Sequence, residues 1–415
     1  MALQERELPI TKQTPSEPDA SNRQGAFPLL MALLMSLVAL SIDMMLPALS
    51  VIGQELGVEH ENEAQLVLSA LFLGLAFGQM IYGPLSDRFG RKPLIQAGLL
   101  LFMLGSLLSI LAGSFSLMLI GRMLQGFGIA GPRIVSVAMV RDRYSGDAMA
   151  RVTSLIMTIF ILVPLVAPAL GQGLMLLGHW RLIFIALLAV ALAASAWLHF
   201  LQPETLARDR RLPLSFKVIY GAAVETVSHP VALGYTVAAG LIFGAFLGYL
   251  NSAAQILQIQ YGLGLLFPLY FSGLAFAFGA ATLLNARLVM RLGMKSLART
   301  AIIGLTVTSV LYLGVTLALG GHPPLWSLMI YLVLTFFAIG MLFGNFNALA
   351  MEPLGHIAGV AAGMIGTLTT FMSVLLGGFI GSIYDGTIIP ITGGFAVLGL
   401  LSLIAMLLAE RSRPH

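Results

Sequence analysis

The chain of 415 residues contains no cysteine. Disulfides and thiolate metal sites are therefore excluded. Its seven histidines all fall near expected loops or span ends, so no metal site is expected either. Charge is scarce, with only 10% of residues Asp, Glu, Lys or Arg, against about a quarter in ordinary soluble domains. There is no basic tract interleaved with aromatics, so no nucleic-acid partner is expected. No Gly-x-x-x-x-Gly-Lys-Ser/Thr stretch is present, which argues against an ATP-driven motor in this chain. Paired loop carboxylates and a nucleophile–base arrangement are also missing, so an enzyme is not expected, nor is a sensor domain evident. A cleavable leader is not expected, because the first apolar run is too long and has no clear small-residue cleavage site.

What is abundant is apolar surface: 58% of residues are hydrophobic and the mean hydropathy is +0.94. Spans of about 20 residues separated by short loops accommodate roughly a dozen membrane helices. Apolar runs place them near residues 27–49, 64–84, 94–112, 116–140, 152–176, 181–200, 230–252, 264–289, 297–319, 325–349, 357–383 and 389–409. The expected fold is an all-α membrane protein of twelve transmembrane helices in two pseudo-symmetric six-helix bundles. The expected organisation is a disordered tail (1–26), a first bundle (27–200), a linker (201–229), a second bundle (230–409) and a short tail (410–415). Within the linker, residues 212–227 are expected to form an amphipathic surface helix.

Basic residues are one-sided. The loops after spans 2, 4, 6 and 8 carry Arg88, Arg91, Lys92, Arg141, Arg143, Arg151, Arg208, Arg210, Arg211, Lys217, Arg287, Arg291, Lys295 and Arg299. The opposite loops carry acids such as Glu55, Glu59, Glu61 and Glu63, and Arg181 at the edge of span 6. By the positive-inside rule both termini are expected in the cytoplasm.

The densest charge lies at residues 83–94, GPLSDRFGRKPL, where Gly83, Asp87, Arg88, Gly90, Arg91 and Lys92 stand between two apolar runs. Glycine and proline punctuation suggests a tight turn at the membrane face. Residues 286–297, ARLVMRLGMKSL, match it at five of twelve positions, with an offset of 203. Shared place in each half favours an internal duplication over chance likeness of short basic loops.

Three charges fall well inside spans: Asp43 in span 1, and Arg122 and Arg133 in span 4. Such charges are costly and need partners or water. At 1.5 Å per residue, Asp43 and Arg122 come to similar depth, so a pair is expected, direct or through water. Two readings of it stand, a proton-coupling pair and a static bridge orienting two helices. Burial and a nearby arginine act oppositely on a carboxyl, and arginine keeps its proton, so Asp43 would carry the proton and Arg122 modulate it. Arg133, eleven residues on, shares the face of Arg122 and would extend a polar stripe inward along the cavity, snorkel or pair locally. Asn251, Gln255 and Gln258 share a face of span 7's outer end, and Asn345 and Asn347 lie in span 10. With Phe271, Phe276, Phe336, Phe337, Phe343 and Phe371 they are candidates either for substrate contact or for packing.

The stretch at 83–94 resembles the signature between helices 2 and 3 of the major facilitator superfamily, Gly-x-x-x-Asp-Arg-x-Gly-Arg-Lys, with no position missing. Arg122-x-x-Gln125-Gly126-x-Gly128 resembles the superfamily's span-4 motif, whose arginine is tied to proton transfer. The stretches 41–49 (SIDMMLPAL), 203–206 (PETL) and 353–359 (PLGHIAG) resemble signatures of the Bcr/CflA subgroup of drug:proton antiporters. The resemblance implies proton-coupled export of small, partly apolar compounds across a bacterial inner membrane by a protein expected to be monomeric. It implies no cofactor beyond the proton gradient. A metabolite exporter or an uptake symporter on the same fold is the alternative. It makes Asp87 and Arg91 a gate with Asp142 as charge partner, closed when the cavity faces outward, and sets Asp87 against the start of span 11. Substrate contacts are expected at Gln125, Arg133, Asn251, Gln255 and Asn345. The subfamily's glycine-rich antiporter motif in span 5 is only partly kept, as Pro164, Pro168 and Gly171, which would serve packing and bending between the halves.

Overall fold

The computed structural model describes residues 20–211 and 216–412. Apart from short 3-10 and π turns, fourteen α-helices make up the described chain. They are α1 (Ala20–Asp43), α2 (Leu49–Glu55), α3 (Leu66–Phe89), α4 (Arg91–Ile110), α5 (Phe115–Arg143), α6 (Gly146–Leu177), α7 (Arg181–Leu201), α8 (Phe216–Ser228), α9 (Pro230–Ala254), α10 (Phe267–Leu292), α11 (Met294–Ala318), α12 (Leu325–Met351), α13 (Ala358–Ser382) and α14 (Ile389–Arg411). Eleven segments are long and apolar enough to cross a membrane, and one of them, Leu325–Ser382, holds both α12 and α13. The result is twelve spanning helices, six on either side of the linker. The lobes meet where α3 packs on α13 and α6 on α10. The surface helix expected in the linker is α8, and its first four expected residues, 212–215, lie outside the described residues.

Several boundaries differ from expectation. Residues 1–19 of the expected tail lie outside the described residues, but α1 already begins at Ala20, so 20–26 are helical. Ala, Arg and Gln there are good helix formers. Span 1 stops at Asp43 and continues as a 3-10 turn, Leu46–Ala48, and then α2. Pro47 is the cause: it has no N–H to give the Asp43 carbonyl, and the chain tightens, with the Met45 N–H donating to Ile42.

The expected tight turn at 83–94 is also shorter than its glycines and prolines suggested. Helix α3 runs on through Gly83 and Pro84 to Phe89, α4 starts at Arg91, and the turn is Gly90 alone. Gly90 has φ 103° and ψ 159°. In the second lobe Gly293, between α10 and α11, has φ 76° and ψ 153°. Side chains other than glycine's rarely adopt that backbone, so the duplicated sequence preserves one turn geometry in both lobes.

The two turns differ in surroundings. A Cβ added at Gly90 would lie 2.6 Å from the Glu204 carboxylate, whereas at Gly293 nothing lies within 4 Å. Gly293→Ala is therefore expected to cost about 1 kcal/mol of backbone strain. Gly90→Ala should cost more and lower the Tm of the purified protein further. Equal Tm shifts would show that the contacts at Gly90 carry no weight.

Candidate functional site

The break in α1 creates an acceptor inside the membrane. With the Met45 N–H diverted to Ile42, the Ser41 carbonyl is taken by the Arg122 guanidinium from α5 at 2.9 Å. Arg122 also donates to the Val67 carbonyl of α3 at 3.2 Å and to Gln125 Oε1 at 2.9 Å. Gln125 passes the chain on, donating to Ser106 Oγ of α4 at 2.7 Å. Arg122 and Gln125 are fully buried. The cation thus caps the negative end of α1 and ties four helices together. Its three acceptors are all neutral oxygens.

No ion pair joins Asp43 to Arg122 among the described residues, so of the pair expected, direct or through water, the direct form is absent. The two residues do stand at similar depth, since Arg122 reaches a carbonyl two residues before Asp43. What Arg122 takes is the backbone oxygen freed at the end of α1, and its other donors go to Val67 and Gln125, which leaves none on Asp43. Asp43 is 6% exposed and accepts no hydrogen bond among the described residues. Beside it, Gly171 of α6 lies against the backbone of Met44, where an added Cβ would collide with the Met44 carbonyl. That glycine therefore packs α6 on its own lobe, a correction to the expected role between the halves. Across the lobes α6 instead presents Ile161 to Gly279 and the Leu165 carbonyl to the Ser272 hydroxyl. Pro164 and Pro168 lie inside an α6 that runs unbroken over 32 residues.

Arg133 is partly exposed and has no hydrogen-bond or ion-pair partner among the described residues. Asn251 donates to the Gly377 carbonyl of α13, and its Oδ1 is buried without a partner. Asn345 and Asn285 exchange amide hydrogen bonds between α12 and α10. Sequence reasoning missed Phe243, Phe246 and Phe278. With Phe336 and Phe343 they form a connected aromatic wall from α9, α10 and α12, ring centroids 4.8 to 6.5 Å apart. Phe276 and Phe371, by contrast, are well exposed at 64% and 40%, and Phe271 is buried.

At the basic end, Arg91 is 5% exposed and bonds to Asp142 at 2.9 Å, to Ser86 Oγ at 2.7 Å and to Asp87. Helix α4 begins at a glycine, which offers no capping side chain. Glu204 supplies the cap from the far side of α7: its carboxylate accepts from the Arg91 and Lys92 backbone N–H groups at 2.9 and 3.1 Å. In return Lys92 Nζ donates to the carbonyls of His199 and Gln202 at the end of α7. Thr205 adds a hydroxyl bond to Asp142. Arg88 stays at the surface, its guanidinium 5.3 Å from the Phe89 ring. Gly83 lies near the Gly359 carbonyl of α13, but Asp87 makes no hydrogen bond to the start of α13 among the described residues. The role of Glu204 had one sequence signal, a carboxylate directly after a span in the 203–206 motif.

The superfamily model described as Major Facilitator Superfamily matches residues 31–377. The chain belongs to the major facilitator superfamily. A bicyclomycin resistance protein homolog of Haemophilus influenzae is 29% identical over 91% of this chain and 94% of its own. The transporter YdgK of Bacillus subtilis, itself uncharacterized, is 30% identical over 92% of this chain and 94% of its own. Multidrug resistance protein D of Escherichia coli is 27% identical over 92% and 93%. Among solved structures, the xylose transporter XylE of E. coli in a partially occluded inward-open conformation matches with a TM-score of 0.72 at 15% identity, covering 94% of this chain and 99% of that one. The human organic anion transporter MFSD10 matches at 0.69 and 17% identity, covering 96% and 100%. At such identity these two show the shared fold.

A facilitator of this superfamily is a membrane transporter, and the inter-lobe bonds of this one are unevenly distributed. At the acidic end, Gln65 donates to Gln255 Oε1 at 2.8 Å and to the Gly381 carbonyl. Asn62 donates to the carbonyls of Ser382 and Tyr384 and accepts from Gln255 at 3.0 Å. Gln255 opens a π-helical turn, Gln255–Gln260, that extends α9. This residue, expected to meet substrate, is thus part of a clasp between lobes. Two further bonds cross midway along α3 and α13, from Gln79 to Thr370 Oγ1 at 3.2 Å and from Thr367 to the Ala76 carbonyl at 3.0 Å. No comparable hydrogen-bonded clasp spans the lobes at the basic end among the described residues, where a cavity of about 810 Å³ lies on the first lobe, lined by Arg143, Tyr144, Asp147 and Arg151 of α5 and α6. The Arg91 cluster is intact in this arrangement and joins helices of the first lobe to the start of the linker.

Removing the buried Arg91 side chain leaves Asp142 and Asp87 unpaired, and Arg91→Ala is expected to destabilise by about 3 kcal/mol. Glu204→Gln, which keeps an acceptor for the two amides, should cost less. Thermal unfolding of the purified variants checks the order.

Proposed function

We propose that this transporter exports small, partly apolar organic compounds in exchange for protons, taking them from the cytoplasm. One observation carries the reading: Asp43 is buried in the spanning region with no donor and no cation bonded to it among the described residues. A carboxylate so placed is expensive to hold charged, and a proton removes that cost. Loading and unloading that proton from opposite sides of the membrane couples the gradient to the swing of the lobes. Arg122 takes the supporting part, fixing the end of α1 on which Asp43 stands. The aromatic wall of the second lobe suits lipophilic ligands. The basic end is assigned to the cytoplasm by its lysines and arginines, so the present arrangement, clasped at the acidic end, is an inward-facing one in an inner membrane. Asp87, Arg91, Lys92 and Asp142, with Glu204, keep the first lobe rigid at its inner rim through the swing. The names of the relatives agree with export, one called a bicyclomycin resistance homolog and another a multidrug resistance protein.

The test is drug accumulation in a hypersensitive host, followed by flux in proteoliposomes with an imposed pH gradient. Wild type should lower accumulation and show gradient-driven flux. Asp43→Asn should lose gradient-driven flux while retaining substrate exchange without a gradient. Gradient-driven export by Asp43→Asn at the wild-type rate would refute the coupling, and substrate gain by the cells would reverse the direction.

The clasp gives a second expectation. Gln65→Leu removes both of its bonds and should shift the population toward outward-facing forms, measured as faster labelling of a cysteine introduced at Asn251. Unchanged labelling would mean that apolar contacts hold that end.

A further inference from the structure

One intramembrane charge is left without a task. Arg133 lies ten residues from the basic end of α5 at Arg143, about 15 Å at 1.5 Å per residue. The expected limit of span 4 at residue 140 is nearer, seven residues or about 10 Å away, but the Cα–Cβ bond of Arg133 tilts toward the N-terminal, acidic end of α5, so its side chain sets out away from the nearer headgroups. It is partly exposed, so it meets open space as well as packing. Eleven residues from Arg122, it shares the side of α5 that turns toward α1 and α3. One turn further on, the Ser136 hydroxyl is buried and unpartnered. The contrast with the other inward-pointing arginines is sharp: Arg122 and Arg91 each use three acceptors, and Arg133 uses none among the described residues. A guanidinium offers five donors in a fork shaped for a carboxylate or phosphate.

We propose that Arg133 is an anion-binding subsite of the transport path, and that favoured substrates are amphiphiles with an aromatic body and a carboxylate, sulfonate or phosphonate group. The anionic group sits on the Arg133 fork while the body lies against the phenylalanine wall of α9, α10 and α12. This rests on reading the space between the lobes as the substrate path, and not on proton coupling. A phospholipid phosphate offers the same chemistry, but the depth of Arg133 favours a free solute.

Full-length protein in phosphatidylcholine nanodiscs, at neutral pH and without a gradient, is titrated with 2-naphthoate and with its neutral isostere 2-naphthamide. Thermal shift and tryptophan fluorescence report binding. Wild type should bind the acid about tenfold tighter than the amide, the size of one charge-assisted hydrogen bond. Arg133→Gln should erase that preference and leave amide binding unchanged, which also shows that the variant is folded. Arg133→Lys should keep part of it. Equal binding of acid and amide by wild type, or a preference that survives Arg133→Gln, overturns the proposal. So does loss of the preference on adding phosphatidylglycerol to wild-type discs, which would give the site to lipid. Asp43→Asn should keep the acid preference, so failed proton coupling with intact acid binding would sink the antiport reading alone.

Discussion

A guanidinium held entirely out of water sets the terms for the first lobe. Arg122 needs acceptors in a place where no solvent supplies them, and α1 provides one by ending early. The sequence of causes is short. Pro47 cannot donate, the helix tightens into a 3-10 turn, the Ser41 carbonyl loses its helical donor, and the arginine takes it. Because that need is met by neutral oxygens, Asp43 is left outside the bond network of the cation. The cation reaches a carbonyl two residues before the acid without bonding to the acid itself.

The second constraint sits at the basic rim. Two helix ends meet there, and each side supplies hydrogen bonds that the other lacks. A glycine turn leaves α4 without its own cap, Glu204 caps it from beyond α7, and Lys92 of α4 caps α7 in turn. The signature residues are therefore a joint between α3, α4, α5 and α7. Their charges bind the helices of one lobe to one another.

Much of this was legible beforehand. Apolar runs broken by charged glycine-rich stretches revealed the twelve spans, and the offset repeat anticipated matching turns at Gly90 and Gly293. The partnership of Arg91 with Asp142 followed from the motif. What the sequence concealed was azimuth and company. Depth along a helix can be counted in residues, but whether Asp43 faces Arg122 depends on where α1 breaks and how it is rotated. Gln255 looked like a cavity residue because its spacing matched a helical face, and a π-helical turn carried it into the clasp instead. Phe243, Phe246 and Phe278 were overlooked because phenylalanine in an apolar helix carries no pattern of its own. Only three helices brought together make them a wall.

The clasp at the acidic end is made of amides and backbone carbonyls, without a formal charge in any of its bonds. Dissolved ions screen charges over a Debye length of about 8 Å at physiological strength, but they leave dipolar bonds of this kind nearly untouched. A door fastened in this way holds with the same strength in dilute and in saline surroundings, and it neither tightens nor loosens as the medium outside acidifies. Any response of the transport cycle to salt or acid must therefore enter through groups other than this clasp.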